Sequence, residues 1–508
     1  MRRLLTFSAL VLAATALAPA TAAAAGPVFG VADDGAKYAD DGGSNFFLTL
    51  ADLGFTSNRI TVTWDPTDGS DGLTIRERAF LDRAVPIAAL RGIDLVLDVY
   101  PVRARAFAVD TDNRITLFAE YLALLARTYP TVRTFIVGNE PNQPRFLQPQ
   151  FVRSGRRYRP VAGALFEHVL AAAYDALKDV DPGITVVGLG LSPRGNDDPR
   201  ATSNISRSPV RFIADLAAEY RRSGRTKPLM DELGFHPYPN SNDDPLSRGY
   251  SWPDAGMAEL ARIKQAVWDG FHDTAQPVFH ETPPFGGPPT DTGPSLGLVL
   301  DEYGRQVTVI SSVARVYHGH ENVPTISEAR QAIVYTAVLR QAECDPDVRG
   351  FFFFHLIDES DLDRFQSGLL RADGTKRPSY DAVKATLEAT NGVCSGALKI
   401  WRHSGSVVGA DVTFGDASLT VRAAEAVTAS TGFLPASLTE SQMIAALSRH
   451  GRTVQSASVV GVRAYRNVTI PLRPTNLAAG VYVQAVVLRA AMNSQRTFLA
   501  VSDPFTVG

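Results

Sequence analysis

A chain of 508 residues, 45% hydrophobic and 20% charged, is too long for one small domain and ordinary in composition for a globular protein. Its formal charge of −3, with no long acidic or basic block, gives no reason to expect nucleic acid or an anionic membrane surface as a partner. Only two cysteines occur, Cys344 and Cys394, and no Cys/His spacing resembles a structural zinc site, so they stand as a candidate disulfide or as two buried thiols.

The first residues, "MRRLLTFSALVLAATALAPATAAAAG", run from Arg2 and Arg3 through an apolar stretch to small residues with A-x-A cleavage sites near Ala25. Residues 1–25 therefore read as a secretory signal peptide. The alternative, a membrane anchor, asks for about 20 spanning residues, more than this apolar run supplies. We expect a secreted, extracellular protein without a membrane anchor, a compartment in which a Cys344–Cys394 disulfide persists.

Residues 26–395 alternate short apolar runs with longer amphipathic ones. Strands are expected at "VFGVA" (28–32), "RITVTW" (59–64), "IDLVLDVY" (93–100), "RTFIVG" (133–138), "ITVVGLGL" (184–191), "DELGFH" (231–236), "LGLVLDEY" (296–303) and "GFFFFHLI" (350–357). Helical apolar spacing fills intervening stretches such as 76–90, 117–129, 165–178 and 328–341. Near-continuous apolar strands alternating with helices indicate a parallel sheet covered by helices. Eight repeats favour an α/β fold of the (β/α)8 TIM-barrel type. The doubly wound open sheet is the competitor, but the first strand–helix turn lacks G-x-G-x-x-G. From 396 to 508 the texture changes to alternating strands and Ser/Thr/Gly turns, interrupted by one helical segment at 439–451. A smaller C-terminal antiparallel β-sandwich is expected there, touching the barrel.

In such a barrel the working groups emerge at the C-terminal ends of the strands. "FIVGNEPN" (135–142) ends the fourth apolar run on Glu140, and Pro141 biases the residue before it towards an extended backbone. "LVLDEYG" (298–304) ends the seventh run on Glu302. Two carboxyls facing each other across a mouth suit glycosidic cleavage, one protonating the leaving oxygen and the other attacking the anomeric carbon. The competing carboxylate is Glu281 in "VFHE" (278–281), but the Pro- and Gly-rich run after it lacks the glycine that follows the aromatic in E-Y-G. In a regular strand Asp301 would point away from Glu302, and Asp231 and Glu232 would face solvent at the opposite rim.

"GNEPN" and "DEYG", in this order and spacing, resemble the acid/base and nucleophile motifs of the clan A retaining glycoside hydrolases, in particular glycoside hydrolase family 5 and its cellulase-like relatives, over most of residues 27–390. The resemblance implies Glu140 as acid/base, Glu302 as nucleophile and Asn139 as a contact of the sugar 2-hydroxyl. "NRITVTW" is similar to the family's strand-two R-I-x-V-x-W, which implies Arg59 beside the nucleophile and Trp64 as a substrate-binding position. "FHPYP" is similar to its strand-six H-x-Y, implying that His236 lines the site and that Tyr238 donates to Glu302. The usual histidine after strand three and tryptophan after strand eight are missing; Tyr100 stands at the first place, and His355, with Phe354 and Asp358, at the second. The loops at 143–159, 239–253 and 305–325 carry aromatic faces on which sugars stack, among them Phe146, Tyr158, Tyr250, Trp252 and Tyr317.

The expectation is thus a monomeric secreted retaining glycosidase acting on an oligo- or polysaccharide without metal or cofactor. A barrel that binds glycan without cutting it is the alternative. His318, His320 and Glu321 make only a weak metal motif, and no G-x-S-x-G supports a serine hydrolase.

Overall fold

The computed structural model describes residues 26–508 apart from 70, 282–292, 402, 404–409, 416, 424–425, 449–454, 464–465, 473–476, 491–496, 503 and 508. The expected signal at 1–25 lies outside the described residues.

Eight parallel strands close a barrel: β1 (Val28–Ala32), β2 (Ser57–Trp64), β3 (Asp94–Pro101), β4 (Thr134–Val137), β5 (Thr185–Leu191), β6 (Glu232–Phe235), β7 (Gly297–Tyr303) and β8 (Val348–Phe353), with β8 pairing back onto β1. A helix follows each strand: α1 (Ser44–Leu53), α2 (Arg78–Leu90), α3 (Thr111–Thr128), α4 (Ala162–Val180), α5 (Pro209–Ser223), α6 (Leu260–Phe271), α7 (Glu328–Glu343) and α8 (Pro378–Thr390). Local signals set several boundaries. Ser327 caps α7 by accepting from the Arg330 amide, proline opens α5 and α8, and left-handed glycines close α1 and α5.

Period-two alternation sorts each strand into two faces. Ile60, Val62 and Trp64 of β2, Leu298, Leu300 and Tyr303 of β7, and Phe351 and Phe353 of β8 face the helices and join the main core. Inward, Ala32, Val96, Ile136, Val187, Val299 and Phe352 form a separate apolar plug. The next inward positions are polar: two residues beyond Val96 comes Asp98, and two beyond Val299 comes Asp301, both fully buried. The interior is therefore layered, an apolar floor beneath a charged shelf at the C-terminal mouth.

Past the barrel, a three-stranded sheet (Asp411–Gly415, Ser418–Arg422, Val468–Pro471) faces a five-stranded antiparallel one built around Val427–Pro435 and Gly480–Ala490. Leu419, Val421 and Ile470 of the first share a core with Ala429, Val486 and Leu488 of the second. The helix Glu440–Ser448 covers the outer face of the larger sheet through Met443 and Leu447. This is the expected β-sandwich, with the expected helix at Glu440–Ser448. It touches the barrel: the Arg422 guanidinium lies 5.2 Å over the Trp252 ring, and Trp401 packs edge-on against Phe279 within the barrel core. Cys344, after α7, and Cys394, after α8, form a disulfide.

Candidate active site

Arg59 is the hub of the charged shelf. It points inward from β2, almost wholly buried, and donates from Nη2 to Asp98 Oδ2 at 2.6 Å and to Asn139 Oδ1 at 3.0 Å, and from Nη1 to Glu302 Oε1 at 2.8 Å. Its Nε lies 3.7 Å from Asp301 Oδ2. Burial works against its charge, but Asp98, Glu302 and Asp301 outweigh that cost and raise its pKa. The same burial, set against Arg59 and reinforced by the Asp301 and Glu302 anions, pushes Asp98 up to about 7.

His236, one residue past β6, is fully buried and bound at both ring nitrogens, with Nδ1 3.1 Å from Glu140 Oε1 and Nε2 3.1 Å from Asp301 Oδ2. Burial alone would strip its proton. The Glu302 and Asp301 charges and the hydrogen bonds to Asp301 and Glu140 hold it instead well above the usual imidazole range, as an imidazolium that donates twice. Burial would likewise raise Asp301, yet His236 and Arg59 keep it below the usual carboxylate range.

Glu302 is held on both oxygens, Oε1 by Arg59 and Oε2 by the Tyr238 hydroxyl at 2.9 Å. Burial and the Glu302 anion push the Tyr238 phenol well above its ordinary value, so it remains a donor. The same His236 Nδ1 that touches Glu140 Oε1 lies 3.6 Å from Glu302 Oε2. Sharing one nitrogen at those distances bounds the separation of the two carboxylate oxygens at roughly 7 Å, a limit that admits the roughly 5–5.5 Å of retaining pairs. Arg59, Asn139, Glu140, His236, Tyr238 and Glu302 are thus brought together at the mouth of the barrel. Tyr100 is beside them, half-buried with its ring edge-on to Phe146 at 5.6 Å, and its phenol is raised by burial and by Asp98.

Other placements differ. Trp64 does not line the cleft: it is fully buried on the helix-facing side, donates Nε1–H to Gly72 O and packs against Phe107 and Phe118. It lies five positions after Arg59, an odd offset, so alternation sends the two to opposite faces. Asp301 does not turn away from Glu302. It keeps the inward phase of Val299, while a bulge lets Glu302 reach the mouth as well: Phe351 pairs with Leu300 and Phe353 with Tyr303, leaving one extra residue on β7. Glu140 is not extended either, since its φ is +42° and its amide donates to Gly190 O at 2.9 Å. A non-glycine residue in the left-handed region is strained, and here the strain sits on a candidate catalytic carboxylate.

Gly190, itself at φ +51°, lies where a Cβ would meet Asp301 Oδ2 at 3.2 Å and His236 Nε2 at 3.4 Å, so glycine leaves room for that pair. His355 is tied through Nδ1 to Ala32 O at 2.8 Å, and the neighbouring Phe354 presents its ring edge-on to Tyr238 at 6.3 Å. Glu281 stands apart from this cluster, 3.4 Å from His403. Glu232 is half-buried rather than solvent-facing, and burial pushes it up to about 7. Of the loop aromatics, Tyr250 bonds Tyr238 O, Tyr317 bonds Asp358, and Trp252 is buried, each in a structural contact. Asp98 and Asp301 were missed as site residues. A lone carboxylate inside the apolar run "LVLDVY" was the available signal for Asp98, whereas nothing in the sequence marks the bulge.

No family model matches the chain, and no curated protein matches it. Similar solved structures include a monomeric β-xylosidase from Caulobacter crescentus CB15, at 15% identity over 88% of this chain and 95% of that one, with a TM-score of 0.44. GH5_18 from Streptomyces cattleya in complex with GlcNAc matches at 17% identity over 78% and 86% of the two chains, with a TM-score of 0.45. The endo-1,4-β-mannanase from Rhizomucor miehei matches at 14% identity over 72% and 95%, with a TM-score of 0.41.

Proposed function

We propose that the chain is a secreted retaining glycoside hydrolase acting on a β-linked glycan. The observation that carries this reading is the convergence of Glu140 and Glu302 on one imidazole nitrogen, at 3.1 and 3.6 Å, at the C-terminal mouth of the barrel. Glu302, fixed by Arg59 and Tyr238, is the nucleophile: its carboxylate attacks the anomeric carbon as the C–O bond to the leaving group breaks. Glu140, at the cleft edge, supplies the proton that the departing oxygen takes up. In the second half Glu140 accepts a proton from water, the oxygen of that water attacks the anomeric carbon, and the ester to Glu302 is released. Asn139, anchored by Arg59, faces the same space, and Tyr100 and Phe354 supply aromatic surface beside it. Export is proposed from the leader at 1–25 and accords with a disulfide, a bond that persists outside the reducing cytosol.

The test is hydrolysis of a panel of aryl β-glycosides and β-linked polysaccharides by the native protein, Glu302→Gln and Glu281→Gln. Turnover lost in the first variant and kept in the second is the expected result. Glycan affinity without turnover on any substrate would favour a binding protein. Loss of turnover in Glu281→Gln alone would move the nucleophile.

A further inference from the structure

The mouth of the barrel is unevenly charged. The loops after β3, β4 and β5, residues 102–110, 141–161 and 192–208, hold ten arginines and three aspartates, in a chain of formal charge −3. The loops after β1 and β8, residues 33–43 and 354–377, hold nine acidic and five basic residues. On the basic side few arginines are matched: Arg207 pairs with Asp197 and Asp215, and Arg103 lies 3.3 Å from Asp65. Arg105, Arg145, Arg153, Arg156, Arg157 and Arg159 are all exposed, and among the described residues none of them has a carboxylate oxygen within 4.0 Å.

Four of these six sit on one hairpin, Phe151–Ser154 paired with Arg157–Pro160, which grows from the loop that follows Glu140. That loop is bound to the cleft. Phe146 meets Tyr100 edge-on, the Arg145 guanidinium lies 5.9 Å over the Phe146 ring, and the Gln148 amide donates to Ala104 O in the loop after β3. On the hairpin, Arg153 stands opposite Tyr158, an exposed ring with the Arg200 guanidinium 5.9 Å above it. Unmatched like charges repel one another, so a cluster of them on the Glu140 side of the mouth attracts an outside counter-charge that relieves the repulsion. Guanidinium forks match the planar or tetrahedral oxygens of carboxylates and sulfates in a bidentate way, and an exposed tyrosine adds a face for a sugar ring.

We propose that the substrate is an anionic glycan, bearing carboxylates or sulfates, whose charged units lie along this arginine rim on the leaving-group side, beside Glu140. The proposal rests on the glycosidase reading and names its substrate class. The rim acts at binding and encounter and adds no step to the chemistry, so its signature is a charge preference that salt removes. The Debye length falls from about 30 Å at 0.01 M to about 3 Å at 1 M.

The experiment uses a β-linked uronic-acid polysaccharide and the same preparation with its carboxylates reduced to alcohols. Affinity and initial rates are measured on both at low and high salt, for the full chain, for Arg153→Gln/Arg156→Gln/Arg157→Gln and for Arg330→Gln, an exposed change on α7. We expect about a tenfold or greater preference in kcat/KM for the charged polymer at low salt, collapsing near 1 M. The triple variant should lose most of that preference and Arg330→Gln should keep it. Equal rates on both polymers with no salt effect would overturn the charge proposal and leave the glycosidase standing. Selective binding of the charged polymer without cleavage of either would support the rim and overturn the glycosidase. A preference undiminished in the triple variant would overturn the assignment to the hairpin.

Discussion

His236 shows how much of the site is decided by single side chains. One ring, cut off from solvent, is held charged because Asp301 and Glu302 surround it, and in that state both of its nitrogens donate, one to Asp301 and the other to Glu140. The Tyr238 hydroxyl does comparable work for Glu302, and a hydrogen bond to a charged group is worth about 1.5–3 kcal/mol. Tyr238→Phe should therefore lower kcat/KM about ten- to a hundredfold while leaving the fold intact, checked by kinetics alongside a melting curve. Asp98 gives a pH test. Its folded pKa of about 7 stands above the roughly 3.9 of a free aspartate, so between those values the fold keeps a proton that the unfolded chain gives up. Its contribution to stability is present below that window and is lost as pH rises through it. Urea unfolding at a series of pH values should show this decline in the native chain and a flatter profile in Asp98→Asn; equal slopes would contradict it. At this scale the sequence was legible where a motif named a residue, as for Arg59, Glu140 and Tyr238. It misled at Trp64, where a motif was given precedence over the strand alternation that turns the ring into the core.

Among the elements, the strands were the most readable because parallel strands buried on both faces leave long apolar runs. All eight barrel strands lie where those runs do, with ends that coincide or differ by at most four residues. Helices α1, α5, α6 and α8 were not singled out, and the arginine-bearing hairpin inside the loop after β4 was read only as a long loop. Two irregularities that build the site, the β7 bulge and the left-handed bend at Leu189–Gly190, come from tertiary packing and leave no periodic trace. The bend is testable. Gly190→Ala should cost about 1–2 kcal/mol from backbone strain and also crowd the Asp301–His236 pair. Gly92→Ala, at φ +69° with nothing within 4 Å of its added carbon, should carry the strain without the crowding. Unfolding midpoints should fall in both variants, and only Gly190→Ala should also lose activity. Equal activity in the two would mean that room at Gly190 is not what the site requires.

For the whole molecule, the change of texture after the barrel announced a second fold class, whose first strand is Asp411–Gly415, and the contact expected between the two parts is close. Trp401 enters the barrel core, the Lys399 amide bonds Cys344 O at 2.7 Å, and the disulfide closes 50 residues holding β8 and α8. By the chain-entropy relation a loop of that length contributes about 4 kcal/mol, with strain reducing the figure. Cys394→Ser should lower the denaturant midpoint accordingly while the folded fraction keeps its activity; an unchanged midpoint would show the link to be dispensable. The charge asymmetry of the mouth belongs to this scale too, because a count over the whole chain averages it away and the side-by-side parallel strands β3, β4 and β5 gather the three basic loops at one end.

The central claim is that Glu302 forms a covalent bond to the sugar while Glu140 handles the proton. Its most direct test is the mass of the protein after incubation with activated 2-deoxy-2-fluoro β-glycosides, followed by peptide mapping. A single glycosyl adduct on the peptide containing Glu302 is the expected result. An adduct on Glu281 or Glu140, or turnover of the parent glycosides with inverted products and no adduct at all, would contradict it.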